Sequence, residues 1–468
     1  MRFLLTIFGC AFVTALPGDD PLERWGGAKG NGPFGTGDTS IKGGDKYINS
    51  GDSSGMGSVG VGVGSGGGGG SCDAAACNTK CASGLTCCNG VCTDLQTSAS
   101  NCGSCGNTCL TGATCSSGAC VCPTFPGFQP HTTYATDGNP NGVAVGDFNE
   151  DGNLDIVTSN GAGTVGLFLG TGSGTFQPQS TFPVSVNPFD IAVGDLYNDG
   201  HLDVVTALYG TFEVSVLLGT GSGSFQAEST FPAGFTPTQL ALGDFNRDGY
   251  LDIVTIDGYN TANVLLSSGP GSYQPPVPYL VGLGPASLLT ADLNNDGYLD
   301  IVTASASDST VSVLLGTASG SFQAQTAFPA ETNPQRVTVG DVNEDGHLDL
   351  IVTNYPDNQV GVLLGDGSGS FQAPTQFPAG ANPYAVSVAD FDGDGHLDIV
   401  VTNYQGSSVS ILLGDGAGSF EAPIPYLVGS TPVDVAVGDF NGDGNLDIVT
   451  TNLRGNTVSV LLGRPCGS

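Results

Sequence analysis

The chain has 468 residues, room for two or three domains. It carries 44 acidic against 10 basic residues, a formal net charge of −34. That balance excludes nucleic acid and anionic membrane as partners, because phosphate recognition needs a basic face. Charged residues are only 12% of the chain, so the acidity is not that of a disordered acidic tail but is concentrated at particular places.

In chain order, residues 1–16 read as a secretory signal peptide. Met1-Arg2 supplies a positive charge, Phe3 to Leu16 is mostly apolar, and Val13-Thr14-Ala15 offers small residues for cleavage. Cys10 follows Ile7-Phe8-Gly9 as in a lipoprotein box, but the apolar run before it is very short, and it reads as part of the signal. The stretch is too short for a transmembrane span, and no other run approaches membrane length. Residues 17–71 form a Gly/Ser-rich linker ending in Gly66 to Gly70, expected to be a disordered coil because it cannot bury enough apolar surface to offset its ordering entropy.

Of the 14 cysteines, all but Cys10 and Cys466 lie between Cys72 and Cys122. Residues 72–122 have too little apolar content for a core, so covalent staples must hold them. The spacings around Cys102, Cys105 and Cys109 would suit zinc. The density of cysteines, the lack of His in the segment and an exported chain favour disulfides instead, and with them an oxidising compartment. The segment from Cys87 to Cys122 resembles short Cys-rich modules of secreted bacterial surface proteins.

Residues 123–466 are an array. The pattern D-x-[N/D]-x-D-G-x-x-D occurs seven times, opening at Asp147, Asp195, Asp244, Asp292, Asp341, Asp390 and Asp439, with steps of 48, 49, 48, 49, 49 and 49 residues. An aromatic residue stands 19 positions before each opening Asp, and a proline 7 positions before it. Each unit offers four β-runs and no helical period. In the sixth copy these are 385–391, with Asp390 inside the run, then 397–402, 409–414, and a strand carrying the aromatic itself. The fold class is therefore all-β: a seven-bladed β-propeller of four-stranded blades, preceded by the linker and the small disulfide-rich module. The array starts at an aromatic-Gln strand (Phe128-Gln129) and stops after the third run of its last unit, so the N-terminal strand is expected to complete the last blade and latch the ring. Cys122 and Cys466, just outside the two ends, are candidates to clamp that closure.

The loops have the chemistry of calcium sites. Calcium takes six to eight oxygens at flexible geometry. Carboxylates or amides at positions 1, 3 and 5 can converge, Gly at position 6 permits the sharp turn, position 7 offers its carbonyl, and Asp at position 9 closes the shell. The sets are Asp147, Asn149, Asp151, Asn153 and Asp155; Asp195, Asp199, His201 and Asp203; Asp244, Asn246, Asp248, Tyr250 and Asp252; Asp292, Asn294, Asp296, Tyr298 and Asp300; Asp341, Asn343, Asp345, His347 and Asp349; Asp390, Asp392, Asp394, His396 and Asp398; and Asp439, Asn441, Asp443, Asn445 and Asp447. Up to seven Ca2+ ions are expected. Positions 1, 3, 5 and 9 of these loops hold half of all the acidic residues. The second loop departs, with Tyr197 at position 3, and weaker binding is expected there. An EF-hand would need Glu at position 12, where the first loop has Thr158. Plain Asn-Asp-Gly turns would not require Asp at positions 1 and 9 in every copy, and magnesium prefers a more rigid, more hydrated octahedron.

The DxNxDGxxD loop, the LDIVT run after it and the LLGxGxGxF hairpin resemble the FG-GAP/VCBS repeat, the type found in integrin α-subunit propellers and many secreted bacterial and fungal proteins. The resemblance covers the array. It implies calcium loops on one face and a role in adhesion, ligand binding or carbohydrate recognition.

Catalytic constellations are not evident. Three of the four histidines, His201, His347 and His396, occupy position 7 of loops, where the side chain is expected to point outward, and no nucleophile motif accompanies His131. The opposite face carries turns that vary between copies, with Tyr209, Tyr259, Tyr355 and Tyr404 as either ligand-stacking or structural residues. The reading is a secreted or cell-surface calcium-binding propeller, monomeric and non-enzymatic, that binds a protein or glycan on the face opposite the calcium loops. The alternative is a carbohydrate-active enzyme, such as a polysaccharide lyase, on the same scaffold.

Overall fold

Proline starts every blade. Pro140, Pro188, Pro237, Pro285, Pro334, Pro383 and Pro432 are the first residues of the seven innermost strands. A fixed φ and a missing N–H suit that position. The residue before each of them (Asn139, Asn187, Thr236, Gly284, Asn333, Asn382, Thr431) has left-handed backbone with φ between 35° and 61°, which swings the chain from one sheet into the next. A shift of register follows each proline, so the inner strand bends as it enters its sheet.

The structure is a computed structural model; it describes residues 81, 84–88, 91–106, 108, 114–116, 119–121 and 125–465. Residues 125–465 form a seven-bladed propeller of four-stranded antiparallel sheets. Blade 1 runs from the axis outward as Pro140–Gly146, Asp155–Asn160, Thr164–Phe168 and Ser180–Pro183, and blades 2 to 6 repeat it. Blade 7 takes Pro432–Gly438, Asp447–Asn452 and Thr457–Leu461 from the C-terminal end and Thr132–Ala135 from the N-terminal end. In that closing ladder Thr132 faces Val460 and Tyr134 faces Val458. The expected latch is thus present. His131 adds a side-chain contact to it, its Nδ1 lying 2.9 Å from Ser459 Oγ. The signal, the linker and the Cys122–Cys466 clamp lie outside the described residues.

Two expectations need correction. The recurrent aromatic is not part of the fourth strand. It makes only an isolated bridge, as in Gly170–Phe176 or Gly414–Phe420, and the outer strand begins about four residues later, at Ser180 after Phe176. Its recurrence has another cause: it packs edge-to-face on the outer-strand aromatic of the preceding blade at every interface. The pairs are Tyr134–Phe176, Phe182–Phe225, Phe231–Tyr273, Tyr279–Phe322, Phe328–Phe371, Phe377–Phe420 and Tyr426–Phe128, with centroids 4.9–5.6 Å apart. The second correction is that the opening Asp stands just past the inner strand, which in the sixth blade ends at Ala389.

The second and third strands are buried almost throughout, and Val, Ile and Leu from adjacent blades form the core between sheets. The N-terminal module contains two hairpins, Thr86–Cys88 with Val91–Thr93 and Thr114–Ser116 with Ala119–Val121. Disulfides join Cys81 to Cys92, Cys88 to Cys105 and Cys102 to Cys115, as the cysteine density predicts.

Candidate metal centre

The seven loops connect the first and second strands of each blade, so all lie on one face. Two residues of each turn the chain by left-handed backbone. Position 6 is always Gly, with φ from 83° to 96°. Position 4 is Glu150, Asn198, Arg247, Asn295 or Glu344 in the first five loops, at φ 53–58°, and Gly393 or Gly442 in the last two.

The side chains at positions 1, 5 and 9 hold the turn in the same way in every copy. In the first loop Asp147 Oδ1 accepts the Asp151 amide at 3.1 Å and Oδ2 the Gly152 amide at 2.8 Å. Asp151 Oδ1 accepts the Asn153 amide at 2.9 Å. Asn149 Oδ1 accepts the Asp151 amide at 3.2 Å. The position-9 carboxylate reaches furthest. Asp155 Oδ2 accepts the Phe148 amide at 2.9 Å, and Oδ1 accepts the amide of Gly170, at the end of the third strand, at 2.7 Å. Its equivalents Asp203, Asp252, Asp300, Asp349, Asp398 and Asp447 do the same. Position 9 therefore ties the loop to the sheet.

All seven position-9 carboxylates are buried. Burial raises each above the usual Asp range, to about 6 for Asp155, Asp203, Asp252 and Asp300 and to about 7 for Asp398 and Asp447, while the two amide donors pull the other way. Asp349 shifts in the same direction for the same reason.

In the sixth loop, carboxylate oxygens of Asp390, Asp392 and Asp398 lie within 4.8 Å of one another, the one such acidic group found among the described residues. Burial there raises Asp392 to about 6, with Asp394 and Asp390 adding repulsion. Asp394 is not one of the trio; its Oδ1 accepts the His396 amide at 2.8 Å. The other loops place an amide at position 3, except the second. There Tyr197 leaves the loop and packs, half-buried, against the apolar cluster between blades 2 and 3, over Gly271 of the blade 3 hairpin. Loop 2 thus keeps Asp195, Asp199 and Asp203 and loses a ligand position. The donor set is all oxygen, it converges on a kinked loop, and its carboxylates crowd in a poorly solvated place. That fits a hard cation such as Ca2+.

Two of the three position-7 histidines, His201 and His396, are engaged by the neighbouring loop. His201 Nδ1 lies 2.5 Å from Glu150 Oε1, and His396 Nδ1 meets Glu344 Oε1. Each is a position-7 side chain touching position 4 of the preceding loop. Asn198 Nδ2 similarly donates to Gly249 O at 2.6 Å, and the Arg247 guanidinium stacks 4.4 Å from the Tyr298 ring centre and donates to Gly297 O. Neighbouring loops are linked side chain to loop at these four interfaces. Sequence reasoning missed this because positions 4 and 7 look solvent-facing within one unit; the signal was the Glu–His match between successive copies.

The opposite face carries the turns between second and third strands. Tyr209, Tyr355, Tyr404 and Leu453 are the first residues of four-residue turns, and they fold inward. They join Phe189 and Tyr384 in one cluster that links blade 2 with blades 5, 6 and 7 across the axis. Beneath it, Arg336 is 3.8 Å from Asp434, both buried, and Asp434 Oδ2 accepts the Val143 amide at 2.8 Å. Three of the four tyrosines considered for ligand stacking are therefore packed into the structure. Tyr259, the middle residue of a three-residue turn, is exposed.

An FG-GAP-like repeat family matches at residues 147–206, 195–255, 244–303, 292–352, 341–401 and 390–450. Residues 69–123 match the stigma-specific STIG1-like protein family. No curated protein matches the chain. Among solved structures, BBS1N in complex with ARL6DN is 11% identical, covers 73% of this chain and 98% of its own, and has a TM-score of 0.54, which shows the shared fold. An Agrocybe aegerita lectin that recognises non-reducing terminal N-acetylglucosamine is 18% identical over 72% of this chain and 97% of its own, with a TM-score of 0.46. Virginiamycin B lyase from Staphylococcus aureus, a catalytically inactive variant with quinupristin, is 16% identical over 72% and 99%, with a TM-score of 0.48. With its loops, hairpins and strands repeating in phase around a closed ring, the chain belongs to the FG-GAP-like repeat family.

Proposed function

We propose that this protein is a secreted or cell-surface binding protein without catalytic activity, whose propeller is held by calcium on one face and recognises a protein or carbohydrate ligand with the other. The observation that carries this reading is the contrast between faces. One repeats the same oxygen-donor loop with the same hydrogen bonds in each blade, as a scaffold requires. The other has turns of varying length and side chain on that fixed frame, as recognition requires. In each loop the side chains at positions 1, 5 and 9, with position 3 in all but the second, and the position-7 carbonyl would hold the ion, whose charge would offset the crowded carboxylates. The disulfides of the N-terminal module support an oxidising, extracellular setting. The non-enzymatic part is supported by the one His–Ser pair among the described residues: Ser459 is buried and accepts the Gly429 amide and Asn452 Nδ2, so its hydroxyl is pinned. A glycan array and a panel of immobilised extracellular proteins, each in calcium and in EDTA, with a polysaccharide-cleavage screen alongside, test the reading. Calcium-dependent binding without cleavage is expected; turnover of any polysaccharide would overturn it in favour of an enzyme.

A further inference from the structure

The far face is not uniform. Val186, Phe235 and Leu283 stand two residues before the prolines that open blades 2, 3 and 4, and each is about half exposed: 49, 46 and 52%. The same position on the other blades holds Gly138, Thr332, Ala381 and Ser430. Between the three lie Phe212 and Tyr259, 59 and 53% exposed, on turns of blades 2 and 3. The Phe212 and Phe235 rings are 5.2 Å apart, and Phe235 and Tyr259 are 5.4 Å apart. Their backbones are pinned to one another: Thr236 N donates to Thr211 O at 2.8 Å, and Gly284 N to Tyr259 O at 2.6 Å. The repeat does not require large apolar side chains at these sites, since the other blades fold without them. They form a pre-ordered apolar ridge facing solvent, the kind of surface that marks an interaction site.

The rim of the ridge is acidic. Glu228 accepts the Ser185 amide and hydroxyl, both at 2.8 Å, beside Val186; Asp308 accepts the Leu283 amide at 2.6 Å; and Glu213 follows Phe212. The one cation of blades 2 to 4, Arg247, lies on the calcium-loop face. Two identical copies meeting through this ridge about a twofold axis would bring acid against acid. The rings meet at 66° and 46°, and aliphatic side chains flank them, so the surface is corrugated rather than a flat platform for a sugar ring.

Resting on the binding function proposed above, we infer that the ridge Val186–Phe212–Phe235–Tyr259–Leu283 docks a protein segment with an apolar anchor flanked by lysine or arginine. The probe is a phage-displayed random peptide library selected on the full chain in calcium, followed by anisotropy titrations of the enriched peptides against wild type, Phe235→Ser and Phe212→Ser. Enriched peptides carrying aromatic or aliphatic anchors next to basic residues are expected. Their affinity should fall about tenfold or more with Phe235→Ser, as at a central aromatic contact, and should weaken as salt rises. Both substitutions are of exposed side chains, so unchanged melting in calcium verifies the fold. Peptides that bind the substituted proteins as well as wild type would overturn the ridge while leaving a binding function standing. Ridge-dependent glycan binding, ridge-dependent self-association in sedimentation, or a selection that enriches nothing would overturn the basic-peptide partner. Failure of the glycan array and protein panel together would overturn the binding function itself.

Discussion

At the scale of single residues, the position-9 aspartates have the most physical content. Each is buried, accepts two backbone amides and is raised from the usual 3.8, six of them to about 6 or 7 and Asp349 in the same direction. A carboxyl raised on folding keeps a proton that the unfolded chain has already shed, so its contribution to stability is complete below about pH 4 and is lost as pH rises through its folded value. The metal-free protein should therefore melt progressively lower between about pH 4.5 and 7.5, and saturating calcium should flatten that slope; scanning calorimetry across pH, with EDTA and with calcium, checks it. Tyr197 gives a second expectation. Tyr197→Asn restores a position-3 oxygen to loop 2, so titration calorimetry should show one tighter or additional calcium site, with some lost packing against the blade 2–3 cluster. A third concerns Asp434. Asp434→Ala removes the acceptor of the Val143 amide and leaves Arg336 buried without its counter-charge, a loss of about 3–5 kcal/mol in denaturant unfolding.

At the scale of elements, the repeat was legible because local chemistry wrote it. The proline that starts each inner strand, the Asp-Gly loop and the Gly-rich hairpin fix their own backbone conformations, and they recur with the same offsets. Ring closure was legible from the phase of the two chain ends. What was not legible depends on which blade faces which. Phe176 seemed a strand residue because its ring partner, Tyr134, sits on the outer strand of the neighbouring blade. Tyr355 resembled a ligand-stacking residue because only the assembled ring brings it to Tyr404 of the next blade, which in turn packs on Tyr384. His201 seemed solvent-facing because Glu150 belongs to the preceding unit. Of the candidate metal site, the loop and its turn were readable; the double use of position 9 as a tether to the third strand was not, because Gly170 lies 15 residues beyond Asp155. The closing strand gives the prediction for this scale. A chain starting at residue 136 would leave Thr457–Leu461 as an exposed edge and remove Tyr134 from Phe176, so it should aggregate or melt well below the full chain; size-exclusion chromatography and thermal melts measure both.

At the scale of the whole molecule, the proposed metal sites couple to charge. A chain of net charge −34, half of whose acidic residues stand at positions 1, 3, 5 and 9 of loops on one face, repels itself there, and bound cations would relieve that repulsion. Extracellular calcium sites often bind with dissociation constants of ~0.1–1 mM, and at ~1 mM calcium a site of ~0.1 mM adds about 1.4 kcal/mol by linkage. Several such sites are large against the stability of an ordinary domain. EDTA should therefore lower the melting temperature sharply, and an unchanged melt would count against calcium in these loops. The side-chain links between neighbouring loops add a directional element. Glu150, Asn198, Arg247 and Glu344 each reach the following blade, whereas Gly393 and Gly442 have no side chain to do so. Blade 7, which the N-terminal strand completes, thus has no such position-4 side-chain link at either interface.

The placement of that strand also has a mechanical consequence. Thr132 pairs with Val460, so both ends of the ring leave from neighbouring points. If they are pulled apart, the ladder peels one bond after another, at low force. If the N-terminal segment is anchored and a ligand pulls on the far face, the load runs along the strand instead, and the ladder bonds share it in shear. The same few hydrogen bonds are a zipper in one direction and a tether in the other.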